Sequence, residues 1–136
     1  MAERQFSIVS HNDSLIDENN DPVHDPEPLR DYIDKWDGPE FIKKMCLDED
    51  KSVLVVGVGT GRLAVRVAPL CGKFCGIDIS PKTIKRAREN LAEERNISLT
   101  CGDLCVVNKK LLAYRRQIEY IRDRKGATAH KVVDLR

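Results

Sequence analysis

Three features of this sequence have residue types and spacing suited to chemistry. The first is Gly57-Val58-Gly59-Thr60-Gly61, which follows the apolar run "SVLVV". Glycines there let backbone approach a ligand closely and adopt positive φ. Amides at the start of a following helix attract electronegative groups. The second is Asp78, 21 residues past Gly57, at the end of another apolar run, "KFCGIDI". A carboxylate in that place can accept both hydroxyls of a ribose. The third is Asp103, just after "ISLTC". If the three runs are parallel strands, all three features share the carboxyl edge of one sheet, where ligands of open α/β sheets bind. The GxGxG spacing differs from the GxGxxG dinucleotide fingerprint, and no Gly-Lys-Ser/Thr follows as a triphosphate loop requires.

These residues need elements to position them. Residues 52–58 form a continuous β-branched and leucine run, which suits a strand buried on both faces. A helix is expected from about Gly61 to Val67, stopped by Pro69. Residues 73–79 read as a second buried strand. Ser80 is then a good N-cap and Pro81 a good first helical residue. Ile84, Ala87 and Leu91 recur at helical spacing, so that helix runs to about Arg95. Residues 97–101 make a third strand. Strand, helix, strand, helix, strand over 52–101 predicts an α/β, Rossmann-like parallel sheet with right-handed crossovers and flanking helices.

The flanks have a different character. Gly38-Pro39-Glu40 looks like a helix start, with Phe41, Ile42 and Met45 on one apolar face and an end near Leu47. Residues 10–28 are polar, acidic and punctuated by prolines, and read as loop or disorder. Leu111, Tyr114, Ile118 and Ile121 lie at amphipathic helical spacing among seven bases between 109 and 125. "HKVVDL" is a candidate fourth strand. The chain thus divides into an acidic, partly disordered segment 1–35, a ligand-binding domain 36–107, and a basic helix with a terminal strand over 108–136.

Composition narrows the function classes. The chain has 136 residues, 33% of them charged and 5% aromatic, with a net charge of +1. No apolar run approaches the roughly 18–20 residues of a membrane span, and the first residues lack a secretion signal, so a cytoplasmic setting is expected. The net charge hides an asymmetry: residues 1–50 carry 14 acids and 5 bases, residues 51–136 carry 8 acids and 18 bases. The simpler reading is an acidic lead-in and a solvated basic surface; the sharper one is a basic face for an anionic partner. The cysteines Cys46, Cys71, Cys75, Cys101 and Cys105 are odd in number and read as buried small hydrophobes rather than disulfides or zinc ligands. The histidines are scattered, and no metal is expected. Asn96-Ile97-Ser98 fits a glycosylation acceptor, which has no meaning in a cytosolic chain.

Together, "VLVVGVGTGRLA", "GIDIS" and "CGDL" resemble class I S-adenosylmethionine-dependent methyltransferases. "PKTIKRARENL" is similar to that family's second helix, and the likeness covers residues 36–104. The resemblance implies S-adenosyl-L-methionine as cofactor. It implies that Gly57, Gly59 and Gly61, with Thr60 between them, line its methionine and ribose part. Asp78 would hold the ribose hydroxyls and Ile79 would pack on the adenine. Asp103 would accept from the adenine amino group, with Leu104 beside the ring. Arg62 reads as a solvated helix residue.

The chain departs from the family pattern in two places. Val55 stands where the family usually has Glu or Asp, a carboxylate that helps orient the amino-acid end of the cofactor. After Leu104 no counterpart of the family's substrate loop or remaining strands is found, so the sheet is expected to be incomplete relative to the full seven strands. We therefore expect a methyltransferase in truncated form, ahead of a segment needing a partner chain or a compact natural variant. The acceptor, small molecule or protein, and the catalytic base are not given by the residues. A non-catalytic module binding S-adenosylmethionine or an adenine nucleoside is the alternative, and RNA binding through the basic helix a weaker one. The exposed strand edge of a half-built sheet invites self-association.

Overall fold

A computed structural model of the chain describes residues 2–103 and 131–134. At its centre Ser52–Val56 (β1), Lys73–Asp78 (β2) and Ile97–Cys101 (β3) lie in parallel, and Lys131–Asp134 (β4) pairs antiparallel with β1, giving the order β3-β2-β1-β4. Val55 pairs with Gly76 on one side and Val132 on the other, and Asp78 pairs with Cys101. Helices flank the sheet: Ala2–Asp17 (α1), Glu27–Asp37 (α2), Pro39–Lys44 (α3), Ala64–Val67 (α4) and Pro81–Asn90 (α5). Short 3₁₀ turns occupy Pro22–His24 and Ala68–Leu70. The three parallel strands and their crossover helices are those read from the sequence, and "HKVVDL" supplies a strand, but one running opposite to β1.

The core follows from the apolar runs. Val53 and Val55 of β1, Phe74 of β2, Val67 of α4, and Ile84 and Leu91 on α5 and its end are all 2% exposed or less. β1 is buried at its three central residues, as its uninterrupted apolar pattern requires. Ser80 caps α5 as expected: its Oγ accepts the Thr83 amide at 3.1 Å.

Several boundaries move, each for a local reason. β1 stops at Val56 rather than Val58 because Gly57 takes φ +75 and leaves the extended region. α4 begins at Ala64 rather than Gly61, since residues 57–63 are taken up by the glycine turn. α5 ends at Asn90, not Arg95; Leu91 leaves helical geometry and a further turn closes through the Glu94 amide on the Leu91 carbonyl. α3 ends at Lys44, with Cys46 at φ +48 breaking the helix before Leu47.

The largest correction concerns residues 10–28. Most of this stretch is helical where a loop was expected: α1 runs to Asp17, the 3₁₀ turn follows, and α2 starts at Glu27 behind Pro26. Two acids of this stretch, and two of α2, are paired with bases of the second half. Asp17 binds Lys82, Asp21 binds Arg86, Asp34 binds Arg66 through two bonds of 2.6 and 3.0 Å, and Asp37 binds Arg62. The charge asymmetry is thus partly internal among the described residues.

The cysteines also divide differently from expectation. Cys71 is buried and Cys75 half-buried, but Cys46 and Cys101 are exposed, and all four are free. Cys105 and the basic stretch 109–125 lie outside the described residues. No group of residues suited to a metal occurs among the described residues. Asn96 turns its amide inward, donating to the Ala68 and Cys71 carbonyls at 2.7 and 2.8 Å. No described helix is long and apolar enough to cross a membrane.

Candidate cofactor site

The site forms where β1 and β2 end side by side. Gly57, Gly59 and Gly61 take φ of +75, +60 and +97, a region that a side chain makes costly. At Gly57 and Gly59 an added Cβ would meet nothing within 4 Å, so bare backbone faces open space. Gly61 has a different need: a Cβ there would sit 3.1 Å from Leu91 Cδ1, against α5 rather than on the cleft.

Asp78, the last residue of β2, holds the loop. Its Oδ2 accepts the Gly59 amide at 2.9 Å and its Oδ1 accepts the Ser80 amide at 3.0 Å. The Gly57 and Val58 amides both donate to the Ile77 carbonyl, at 2.8 and 3.0 Å, and the Gly61 amide to the Val58 carbonyl at 3.2 Å. The expectation that loop amides await an electronegative ligand is therefore corrected for these four residues: their donors are used inside the protein. What the loop presents is a rigid open backbone surface with a carboxylate beside it.

A cleft of about 460 Å³ opens over this edge. Gly57, Asp78, Ile79 and Asp103 line it, and so do Ile8 and Asn12 of α1. A smaller hollow of about 220 Å³ involves Gly59, Thr60, Asp78 and Thr83, again with Asn12. Of the residues predicted for the site, Gly57, Gly59, Thr60, Asp78, Ile79 and Asp103 converge on these two spaces; Gly61 lines neither, and Leu104 lies outside the described residues. Ser80, wholly buried, donates from its hydroxyl to Asp13 Oδ1 at 2.6 Å, which brings α1 to the end of β2.

Sequence reasoning missed the wall made by α1 and the polar anchor beneath it. Asp21 is 6% exposed; it accepts the Val23 amide and Asn90 Nδ2, each at 3.0 Å. The same Asn90 nitrogen donates to the Thr60 carbonyl at 3.0 Å, tying the glycine loop to the N-terminal segment. Burial alone would push the Asp21 carboxyl up, but hydrogen bonds led by that of Asn90 outweigh it and hold the group below the ordinary carboxylate value. Arg62 is not a solvated helix residue: its side chain is 17% exposed and paired with Asp37. A signal was present in the sequence, because Arg62 and Arg66 are four apart and Asp34 and Asp37 three apart, the spacings of neighbours on a helix face.

An open glycine backbone, carboxylates at the ends of two adjacent parallel strands and apolar Ile79 beside them define a nucleoside-binding Rossmann-like fold. The residues fit an adenosine-bearing group: a Cβ at Gly57 or Gly59 would occupy the open space, and the cleft supplies both acceptors for hydroxyls and apolar surface for a ring. The chain belongs to the methyltransferase domain family, whose sequence pattern matches residues 53–120, half of the chain. The cofactor of this family is S-adenosyl-L-methionine.

Phosphoethanolamine N-methyltransferase 1 of Arabidopsis thaliana is 28% identical over 79 residues, 58% of this chain and 16% of that protein. Phosphoethanolamine N-methyltransferase of Triticum aestivum is 31% identical over 72 residues, 53% of this chain and 14% of that protein. The chain thus spans a small part of the length of the curated relatives it matches. Among solved structures, Haemonchus contortus phosphoethanolamine N-methyltransferase 1, in complex with phosphoethanolamine and S-adenosylhomocysteine, superposes with a TM-score of 0.58 at 22% identity. That likeness covers 74% of this chain and 22% of the other, and it concerns the fold.

Proposed function

We propose that this chain binds S-adenosyl-L-methionine in the cleft at the ends of β1, β2 and β3 and takes part in methyl transfer to a small-molecule acceptor. The observation that carries the reading is the Gly59–Asp78 hydrogen bond of 2.9 Å with open space in front of both Gly57 and Gly59. In this reading Asp78 accepts ribose hydroxyls while its bonds to the Gly59 and Ser80 amides keep the loop in shape. Ile79 offers apolar surface to the adenine, and Asp103 an acceptor for its amino group. Bound there, the cofactor supplies an activated methyl group on a sulfonium, so the protein's task is proximity and in-line orientation. Ile8 and Asn12 of α1 line the cleft on its N-terminal side. The phosphoethanolamine N-methyltransferases among its relatives support a small-molecule acceptor.

Isothermal titration with S-adenosylmethionine and S-adenosylhomocysteine tests the reading, with Asp78→Ala as control. Micromolar binding lost in the control supports it; absence of binding by folded protein overturns it. A second reading is favoured by Val55, which is 1% exposed in β1 and supplies no carboxylate: a binding module without turnover. Equal affinity for both forms of the cofactor, with no methylated product from an acceptor screen, would select that reading.

A further inference from the structure

Two acids of α2 hold it to the domain: Asp34 binds Arg66 and Asp37 binds Arg62. Three of its large apolar side chains turn outward. Leu29, Tyr32 and Trp36 are 44, 60 and 55% exposed. They stand three and four residues apart, so they form one stripe along the helix. A surface helix normally buries such a stripe and leaves its charges in water. In α2 the arrangement is reversed. Single exposed apolar residues are ordinary, but a row of three that includes two aromatics is a patch.

The charges beside the stripe narrow what fits it. Asp31 and Lys35, both exposed, lie four apart along one edge. Lys35 Nζ sits over the Tyr32 ring, 5.8 Å from its centroid, at the border of the stripe. An acid and a base so placed match themselves when two helices run antiparallel across a twofold axis near Ile33. Asp31 of each copy then faces Lys35 of the other. Leu29 lies beside Trp36 of the other, and the two Tyr32 rings meet. Such reciprocity is what an isologous interface requires. A bilayer fits less well, because interfacial helices are rich in bases, whereas the exposed charges of α2 are two acids, Glu27 and Asp31, and two bases, Arg30 and Lys35.

We propose that the outward face of α2 is the contact surface of a homodimer. The area sets its strength. Tyr32 and Trp36 expose roughly 100–150 Å² each, and with Leu29 and the flanking side chains each copy contributes roughly 400–500 Å². The total, on the order of 800–1,000 Å², is at the low end for a specific interface, so the dimer is micromolar and exchanges readily. Trp36 is the chain's only tryptophan, and its emission reports the contact directly.

Sedimentation velocity of the natural chain from about 1 to about 500 µM tests this, and the mass should double across that range. Trp36 emission should move to shorter wavelength over the same concentrations. Trp36→Ser should weaken association by about tenfold or more. Asp31→Lys and Lys35→Asp should each weaken it by about threefold or more, because like charges then face each other. Both positions are exposed, which spares the fold. Mixed in equal amounts, these two charge variants should associate more tightly than either alone, since each supplies the charge the other needs. A natural chain that stays monomeric throughout, association unchanged by the three substitutions, or a mixture no tighter than its components overturns the proposal. Emission of a buried indole in the dilute monomer also overturns it, and places the chain's own residues over the stripe. So does an emission shift on adding phosphatidylcholine vesicles to the monomer, which assigns the stripe to a lipid surface.

Discussion

Asp21 accepts a hydrogen bond from Asn90 at 3.0 Å, and through that one amide the N-terminal segment is joined to the glycine loop. The native carboxyl titrates below its ordinary value of 3.8. Its stabilisation is therefore complete above that ordinary value and is lost as pH falls through the lower native one. Asp21→Asn should destabilise the protein by about 1–3 kcal/mol at neutral pH. Urea denaturation of both proteins should show the gap narrowing as pH falls below 3.8 and the natural carboxyl takes up its proton.

Two acids of α1 contact α5 or its cap, and they should differ in weight. Asp13 accepts from Ser80, which is 0% exposed; Asp13→Ala strands a buried hydroxyl and should cost about 1–2 kcal/mol. Asp17 pairs with Lys82 in solvent, with side chains 61% and 48% exposed. Such pairs contribute little, so Asp17→Ala should leave the denaturation midpoint unchanged. Equal effects of the two substitutions would contradict this account of α1 docking.

Glycines should separate folding from binding. A Cβ at Gly72 would fall 1.9 Å from the Glu49 carbonyl oxygen, so Gly72→Ala should lower stability by about 3 kcal/mol or more. A Cβ at Gly59 meets no protein atom, and only the φ of +60 opposes it. Gly59→Ala should cost about 1–2 kcal/mol yet weaken S-adenosylmethionine binding by more than about tenfold, because the methyl enters the open space that the loop faces. Thermal melts beside titration calorimetry distinguish the two.

Thiol reactivity should follow burial. Cys71, 7% exposed, has its thiol pushed up first by burial, and Cys75 likewise. Cys101 is exposed, but burial of its sulfur and then the nearby Asp78 raise it as well. Iodoacetamide at neutral pH, followed by mass spectrometry, should label exposed Cys46 first and Cys71 only after denaturation.

The sheet and the cofactor edge were legible in the sequence because their signals are local. β1, β2 and β3 announce themselves as apolar runs, and Ser80-Pro81 carries its own cap chemistry. α1 and the anchor around Asp21 were not legible. Their helix has no strong apolar face, and what fixes it is pairing with Ser80, Lys82, Arg86 and Asn90, residues distant in sequence. High charge looks like disorder until the opposite charges are known to be neighbours. The same blindness made Arg62 look solvated, since nothing next to it in sequence reveals Asp37.

The antiparallel strand has a consequence for how the molecule assembles. β1, β2 and β3 follow one another and can zip together as successive local units. β4 must return from the far end of the chain to pair Val132 with Val55, and so long a closure comes late. Until it does, β1 stands as an open edge of buried, β-branched residues. In that interval the order of arrival decides whether the edge meets its own chain or a neighbouring one. Once paired, β4 replaces β1 as the edge of the sheet on that side.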